Sequence, residues 1–324
     1  MNKIQIIVNN GAGTGSAVQV WKETKEYLQE KNIVYTAYLT RYEKHAARLA
    51  RQICERHKEG PVYLLVVGGD GTINEVLNGI TDFSRVRLGV VPTGSGNDFA
   101  RNLGIRRDTK ADLEEITSCI EREQRGQTLK RIDLGEVCWK GAERPRIFGI
   151  SAGAGLDAIV YKKALHCTLK KVLNKMHLGK LTYLMLTVQT LFSMKTFGAQ
   201  VSVDEETYTY EKMIFAAAMN LHAEGGGVPM APKSTPYDGK LSLSSAAGIS
   251  KWKTFFLLPL LALGKQGGIR GFAVADGSEI HMKTDQPVVL HADGEYCGDV
   301  TEIRFRCLKN QLWLLHKGSK EEEK

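Results

Sequence analysis

The sequence predicts an α/β domain with a parallel sheet, followed by a second domain with a β-sandwich-like fold. Up to about residue 130, apolar strand-like runs alternate with amphipathic helical patterns, which is typical of a parallel sheet covered by helices. From about residue 131, short strand-like runs separated by turn residues replace that alternation. A chain of 324 residues, 43% of them hydrophobic, is long enough to build two cores.

The first domain is assigned to residues 1–132, and residues 302–324 are predicted to return to it. Its most informative strand is "PVYLLVV", a nearly continuous apolar run of the kind found in parallel sheets buried on both faces. A helix is predicted in "EKHAARLARQICERH", where apolar positions recur at helical spacing. The other predicted strands are "IQIIVNN", "IVYTAYLT" and "VRLGVVP".

The second domain is assigned to residues 133–301, with a helical insert at about 159–194. Its strands are predicted from short runs bounded by turn residues. They include "RIDLGEVCW", "AQVSVD", "YTYEKMIFAAAMN", "GKLSLSSAAG", "PVVLHADGEYCG" and "EIRFRCL".

Composition narrows the class of protein without deciding its function. Six cysteines occur with no CxxC pair, which indicates reduced thiols rather than a disulfide framework. The longest apolar run, Phe255–Leu263, is far below the roughly 20 residues that span a bilayer. The net charge of +8 suits anionic partners such as nucleic acid, anionic lipid or phosphorylated substrates, although it also serves simple solubility.

The stretch "VVGGDGTINEV" places three glycines around an aspartate, between a strand and a helix. Glycines let the backbone approach an anion closely, and the N–H groups of a helix start suit a phosphate. Asp70 would repel a nucleotide unless a cation lies between them, so the pattern favours Mg²⁺ bound with the phosphates. The structural alternative is a plain turn in which Asp70 or Thr72 caps the helix.

The next strand ends in "PTGSGNDFARNLG", where small residues and Asp98 again precede a helix. Asn97 or Asp98 could simply cap that helix. Because both turns follow neighbouring parallel strands, they are predicted to lie side by side at the carboxyl edge of the sheet, where ligands of open α/β folds bind. No Walker A motif occurs. "GAGLDA" fits a dinucleotide motif but lies in the β-rich half without a βαβ unit.

These two motifs, with "NNGAG", "RIDLG", "GAGLDA", "GGGVPMAPKSTPYDGKLSL" and "HADGEYCG", resemble the bacterial diacylglycerol kinase and lipid kinase family, whose catalytic core is shared with sphingosine kinases. The resemblance spans almost the whole chain. It implies an active site in the cleft between the two domains, with ATP and Mg²⁺ as cofactors. It also implies ATP-binding roles for a set of residues by matching position. These are Asn9, Asn10, Gly11, Ala12, Gly13, Thr40, Gly68, Gly69, Asp70, Gly71, Thr72, Ile73, Asn74, Ser95, Asp98 and Asp133.

The resemblance also assigns the second-domain motifs. Asp293 and Glu295 match the catalytic pair, while Asp238, with the carbonyls of Thr235 and Lys240, matches a structural metal site. A carboxylate must accept the proton of a lipid hydroxyl as it attacks the γ-phosphorus. If the segment is extended, residues 293 and 295 face the same side, so one can take the proton while the other orients it. The alternative is an ordinary Asp-Gly hairpin turn.

The helical insert carries lysines among leucines and methionines, a pattern typical of binding to an anionic membrane surface. A solvated helix face is the alternative. The lysines are Lys162, Lys163, Lys170, Lys171, Lys175 and Lys180.

Together these features predict an ATP-dependent kinase for the free hydroxyl of diacylglycerol or a similar membrane lipid. The protein is expected in the cytoplasm, peripherally on the inner face of the membrane, and a homodimer is allowed. Two alternatives stay open: an NAD or sugar kinase that shares "GGDGT", and a lipid- or nucleotide-binding regulator without catalysis.

Overall fold

The computed structural model of the chain describes residues 3–11, 16–94, 96–106, 108–166 and 179–317. The chain divides into two compact units, each described here by itself. They are Met1–Asp133 with Asn310–Lys324, and Leu134–Lys309.

The first unit alternates strands and helices, as predicted. Its strands lie in the order β2, β1, β3, β4 and the end of β13, and every neighbouring pair is parallel. The elements are β1 (Ile4–Val8), α1 (Ser16–Glu30), β2 (Tyr35–Leu39), α2 (His45–Arg56), β3 (Val62–Gly68), α3 (Asp70–Gly79), β4 (Val86–Pro92), α4 (Asp98–Asn102) and α5 (Thr109–Gln124).

The central strand β3 explains how this unit folds. All seven of its residues are buried, because β1 and β4 pair with it on either side and helices cover its faces. Helix α1 contributes Trp21 and Leu28 to the core, and α5 contributes Leu113 and Ile116. The turns that leave β1, β3 and β4 therefore emerge at one edge of the sheet.

The second unit is mainly antiparallel, which confirms the prediction of a β-rich second half. Its strands run in the order β11, β10, β9, β7, β12, β13, with β8 paired to β9 and β12. The elements are β5 (Lys130–Trp139), β6 (Arg146–Phe148), β7 (Ser151–Gly155), α6 (Leu156–His166), α7 (Gly179–Ser193), β8 (Phe197–Val203), β9 (Glu206–Met219), β10 (Leu241–Ala247), α8 (Lys251–Ala262), β11 (Phe272–Gly277), β12 (Glu279–Ala292) and β13 (Glu295–Leu314).

Helices in this unit differ from expectation in one place. The predicted insert corresponds to α6 and α7, while Lys170, Lys171 and Lys175 lie outside the described residues. Helix α8 was not predicted, because its apolar run has no helical periodicity. Among the described residues, no helix is long and apolar enough to cross a membrane.

Candidate functional site

Three turns of the first unit are joined by side-chain hydrogen bonds. Asn9, after β1, donates from Nδ2 to Thr72 Oγ1 in α3 at 2.9 Å. The carboxylate of Asp70, at the start of α3, accepts the backbone N–H groups of Asp98 (2.9 Å) and Phe99 (3.1 Å) at the start of α4. The turns after β1, β3 and β4 therefore meet, and the predicted neighbourhood of the turns after β3 and β4 is confirmed.

Asp70 caps a helix, but not the helix that the sequence suggested. Helix α3 has Gly69 as its N-cap residue with no side-chain cap. Helix α4 has Asn97 at its N-cap, in the left-handed region at φ 53°, and it too lacks a cap from its own residue. Asp70 supplies that cap across the turns, so the local-cap interpretations of Asp70, Asn97 and Asp98 are wrong for their own helices.

Glycine is required where the second and third turns approach each other. A Cβ at Gly69 would lie 3.1 Å from the Cα of Gly94, and a Cβ at Gly68 would lie 2.7 Å from Cβ of Thr72. Both distances are shorter than an ordinary van der Waals contact. Gly69 therefore allows the backbones of the two turns to approach each other, and Gly68 leaves room for the Thr72 side chain.

Three oxygens of these turns are buried and have no hydrogen-bond partner among the residues that the structure describes. They belong to Asn10 (Oδ1), Thr93 (Oγ1) and Asn97 (Oδ1). Unsatisfied buried acceptors are costly, and a bound cation or ligand donor would satisfy them. A carboxylate and amide or hydroxyl oxygens are the ligand types that Mg²⁺ prefers, and Asp70 lies beside these oxygens at the start of α3. The residue types present therefore fit Mg²⁺ bound with a phosphate ligand.

The other predicted acidic residues are engaged in different ways. Asp98 is buried and forms an ion pair with Arg101 at 2.6 Å, while Arg101 also donates to the Gly96 carbonyl. Asp133 is fully buried and accepts the N–H of Asn310 at 2.6 Å, where the chain re-enters the first unit. These contacts place Asp98 beside the turns, and Asp133 at the returning strand.

The remaining predicted ATP-binding residues vary in accessibility. Thr40 follows β2 and donates its N–H to Val8 at 2.9 Å, beside the first turn. Ile73 and Asn74 are buried in α3. Ala12, Gly13 and Ser95 lie outside the described residues. Gly11 donates its N–H to Asn9 Oδ1 at 3.1 Å, and Gly71 lies in the first turn of α3.

In the second unit, "ADGE" forms a tight hairpin turn. Ala292 pairs with Glu295 across β12 and β13, and both Asp293 (φ 48°) and Gly294 (φ 83°) are in the left-handed region. The hairpin alternative is therefore confirmed for the backbone. The segment is not extended, so the condition under which residues 293 and 295 were expected to face the same side does not hold.

Asp293 holds this turn in place. Its carboxylate accepts the N–H groups of Gly149 (2.8 Å), Ile150 (2.8 Å) and Ser151 (3.1 Å), and its own N–H donates to the Ser151 carbonyl. Such bonds orient a carboxylate strongly. Glu295, which opens β13, is half-buried.

Sequence reasoning missed a buried polar cluster behind this turn. His291 is fully buried, receives the Gly294 N–H on Nδ1 at 3.2 Å, and lies 3.0 Å from Asp157 Oδ2 through Nε2. Glu224 is hydrogen-bonded to Ser151. Burial lowers the pKa of His291, but the hydrogen bond to Asp157 and the charges of Asp157, Glu224 and Asp293 outweigh burial and raise it.

The acceptor role of Nδ1 fixes the protonation of this cluster. A neutral ring that accepts at Nδ1 carries its proton on Nε2, which then donates to Asp157. Ligand atoms of Asp157, Glu224 and His291 lie within 4.8 Å of one another, yet an Nε2 that carries a proton cannot bind a metal ion. The cluster is therefore hydrogen-bonded as it stands. Its sequence signal is faint: each member only adjoins a glycine motif.

The predicted second metal site is an exposed turn. Asp238 accepts the N–H of Lys240 at 2.9 Å, which closes a local Asx turn before β10. Thr235 precedes this turn and is half-buried. The bonds of Asp238 neither require a cation nor exclude one.

Comparison with known proteins places the chain in a family. The profile of the diacylglycerol kinase catalytic domain matches residues 3–135. The profile of the YegS C-terminal NAD kinase beta sandwich-like domain matches residues 150–316. The "GAGLDA" strand β7 is antiparallel to both neighbours, so it forms no dinucleotide-binding βαβ unit.

Relatives and solved structures agree with both profiles. A candidate lipid kinase of Bacillus subtilis strain 168, YtlR, is 30% identical over 90% of this chain and 93% of its own. A diacylglycerol kinase of the same strain is 24% identical over 92% and 91%. The crystal structure of a candidate diacylglycerol kinase from Bacillus anthracis strain Sterne shares the fold, with a TM-score of 0.73 at 20% identity over 97% of each chain. The chain therefore belongs to the diacylglycerol kinase family and is an enzyme of the lipid kinase type.

Proposed function

We propose that this enzyme transfers the γ-phosphate of ATP to the free hydroxyl of diacylglycerol or a similar lipid, which gives phosphatidic acid or its analogue. The family implies the use of ATP. The observation that carries the proposal is the junction of three turns, where Asp70 of one turn caps the helix that follows another. Glycine turns beside the start of a helix suit a triphosphate.

The first unit would bind and orient the nucleotide. Helix α3 begins at Asp70, so the N–H groups of its first turn and the positive end of its dipole lie at the junction. The Asp70 carboxylate would hold Mg²⁺, with Asp98 next to it at the start of α4. When bound, the ion neutralises charge on the phosphates. The unpartnered oxygens of Asn10, Thr93 and Asn97 supply further acceptors.

The second unit would handle the proton. The three N–H bonds of Asp293 make it the residue that orients the turn, and this leaves Glu295 as the proposed acceptor of the lipid hydroxyl proton. As that proton moves to Glu295, the hydroxyl oxygen bonds to the γ-phosphorus and ADP leaves. An active site in a cleft between the units, and a metal ion at Asp238 with the carbonyls of Thr235 and Lys240, remain predictions from the resemblance.

Radiolabelled ATP with a panel of lipids in mixed micelles tests the proposal. Labelled phosphatidic acid that depends on Mg²⁺ and disappears in Glu295→Gln is the expected result. Soluble NAD and sugars serve as competing acceptors. Transfer to one of these, or no transfer to any lipid by folded protein that binds ATP, would contradict the proposal. The second outcome would favour the non-catalytic regulator.

Since the acceptor is a membrane lipid, we also propose peripheral association with an anionic surface at the cytoplasmic face of the membrane. The net charge of +8 supports it. A homodimer and the absence of nucleic-acid partners stay predictions.

A further inference from the structure

Helix α8 presents a row of exposed apolar side chains. Trp252, Phe256 and Leu263 are 65%, 71% and 65% exposed, and Leu260 is also exposed. Spacings of four, four and three residues place them on one face of the helix and its last turn. We call Trp252, Phe256, Leu260 and Leu263 the apolar stripe. Exposed rows of large apolar side chains usually mark an interaction surface.

The helix that carries the stripe is firmly held from behind. Ser250 caps it by accepting the Lys253 N–H at 3.2 Å. Lys251 donates from Nζ to the carbonyls of Phe192, at 3.2 Å, and Met194 at the end of α7. The Phe192 ring packs against Trp252 with 4.8 Å between centroids. Helix α8 is therefore fixed against α7, while the side chains of the stripe stay exposed.

The charged residues in and directly after the stripe helix are basic. From residue 239 to residue 275 the chain contains no acidic residue. Lys253 is exposed within the stripe, and Lys265 lies just beyond it. An apolar row flanked by cations complements a surface that is apolar below and anionic above.

We propose that the apolar stripe docks on an anionic lipid bilayer, with the Trp252 and Phe256 rings in the interfacial layer. This rests on the proposed function only in that a membrane lipid is the substrate. The stripe spans about 18 Å of helix, so it lies on the bilayer and does not cross it. A second copy fits less well, because an isologous contact would bring the Lys253 side chains of both copies together. The surface differs from the lysine-rich insert that the sequence suggested.

Trp252 can serve as an intrinsic fluorescence probe of membrane binding. Trp252 alone of the four tryptophans is exposed, since Trp21 is buried and Trp139 and Trp313 are half-buried. Insertion of Trp252 should shift its fluorescence to shorter wavelength and allow quenching by brominated lipid. The measurement uses the full chain without ATP, on phosphatidylcholine vesicles with and without phosphatidylglycerol.

Phe256→Glu is the principal variant, because it leaves the probe intact. We expect vesicle binding to fall at least about tenfold, since apolar burial of one phenylalanine contributes that factor. Lys253→Glu should weaken binding only on the anionic vesicles. Val274→Glu is the matched control: Val274 is 49% exposed on β11 of the same unit, and binding should not change. Melting curves verify that each variant folds, and Phe256→Ser replaces Phe256→Glu if that variant does not.

The outcomes separate this inference from the proposed function. Binding that requires Phe256 supports the stripe even if no kinase activity is found. Kinase activity on water-soluble dioctanoylglycerol should be equal in Phe256→Glu and the parent. Equal vesicle binding by parent and Phe256→Glu would overturn the inference, whatever the activity. Self-association that Phe256→Glu abolishes, without vesicle binding, would overturn it in favour of a second copy.

Discussion

The glycine turns of the first unit and the Asp293 turn of the second are held in different ways. The glycine turns owe their shape to backbones in close approach and to short bonds from Asn9 and Asp70. The Asp293 turn owes its shape to buried ionisable groups, among them His291, which sequence places far from their partners. Steric changes should therefore damage the first site, while changes of charge should damage the second.

The largest effect should come from the carboxylates of the second site. Asp293→Asn should lower turnover by roughly 10²-fold or more, and also lower stability by about 1–3 kcal/mol, because the amide group faces backbone donors. Glu295→Gln should lower turnover similarly, because the amide cannot accept the hydroxyl proton. Steady-state kinetics and urea denaturation measure both quantities. Near-normal turnover in both variants would remove the pair from the mechanism.

A steric test addresses the first site. Gly68→Ala should cost about 1–3 kcal/mol of stability and raise KM for ATP, because its Cβ would lie 2.7 Å from Cβ of Thr72. Gly267→Ala is the control, since nothing lies within 4 Å of the added Cβ and its backbone is ordinary. If both variants bind ATP like the parent, the close contact between residue 68 and Thr72 is not what builds the site.

The two sites also differ in how much the sequence reveals. Glycine turns after strands can be recognised in the sequence, because the backbone conformation that they need depends on a few adjacent residues. The alternation of strands and helices in the first unit is likewise predictable, because each element has its own local hydrophobic pattern. The bond from Asp70 to α4 was not predictable, because it depends on how two turns 28 residues apart meet. Asp157, Glu224 and His291 come from three elements, and only folding brings them together. Helix α8 was not predicted, because the hydrophobicity of its uniformly apolar run has no helical periodicity.

A smaller effect separates the two roles of Asp70. Asp70→Asn retains one acceptor for the N–H groups of Asp98 and Phe99, so we expect a loss of about 1 kcal/mol in stability. If Asp70 also holds Mg²⁺, activity should fall further and recover in part at high Mg²⁺. A Mg²⁺ titration beside a melting curve measures each part. If Asp70→Asn loses stability but has normal kinetics at every Mg²⁺ concentration, Asp70 only caps α4 and does not hold Mg²⁺.

The smallest expected effect is a pH dependence that only the second site should show. The folded pKa of His291 is raised above its ordinary 6.5, because its carboxylate partners outweigh burial. A raised pKa contributes stability below pH 6.5, and this contribution disappears as pH rises through the folded value. Protonation, however, places a proton on Nδ1, which can then no longer accept the Gly294 N–H that shapes the turn.

Stability and turnover should therefore respond to pH in opposite directions. As pH falls through the raised pKa of His291, the free energy of unfolding should gain from the stronger pair with Asp157, while kcat falls because the turn loosens. His291→Asn retains an acceptor for the Gly294 N–H but cannot be protonated in this range. In this variant, neither the free energy of unfolding nor kcat should show the pH dependence that comes from His291. Urea denaturation and kcat profiles across the range, with KM for ATP as the internal control, measure the effect. If the parent and His291→Asn show the same kcat profile, His291 does not position the turn through its protonation state.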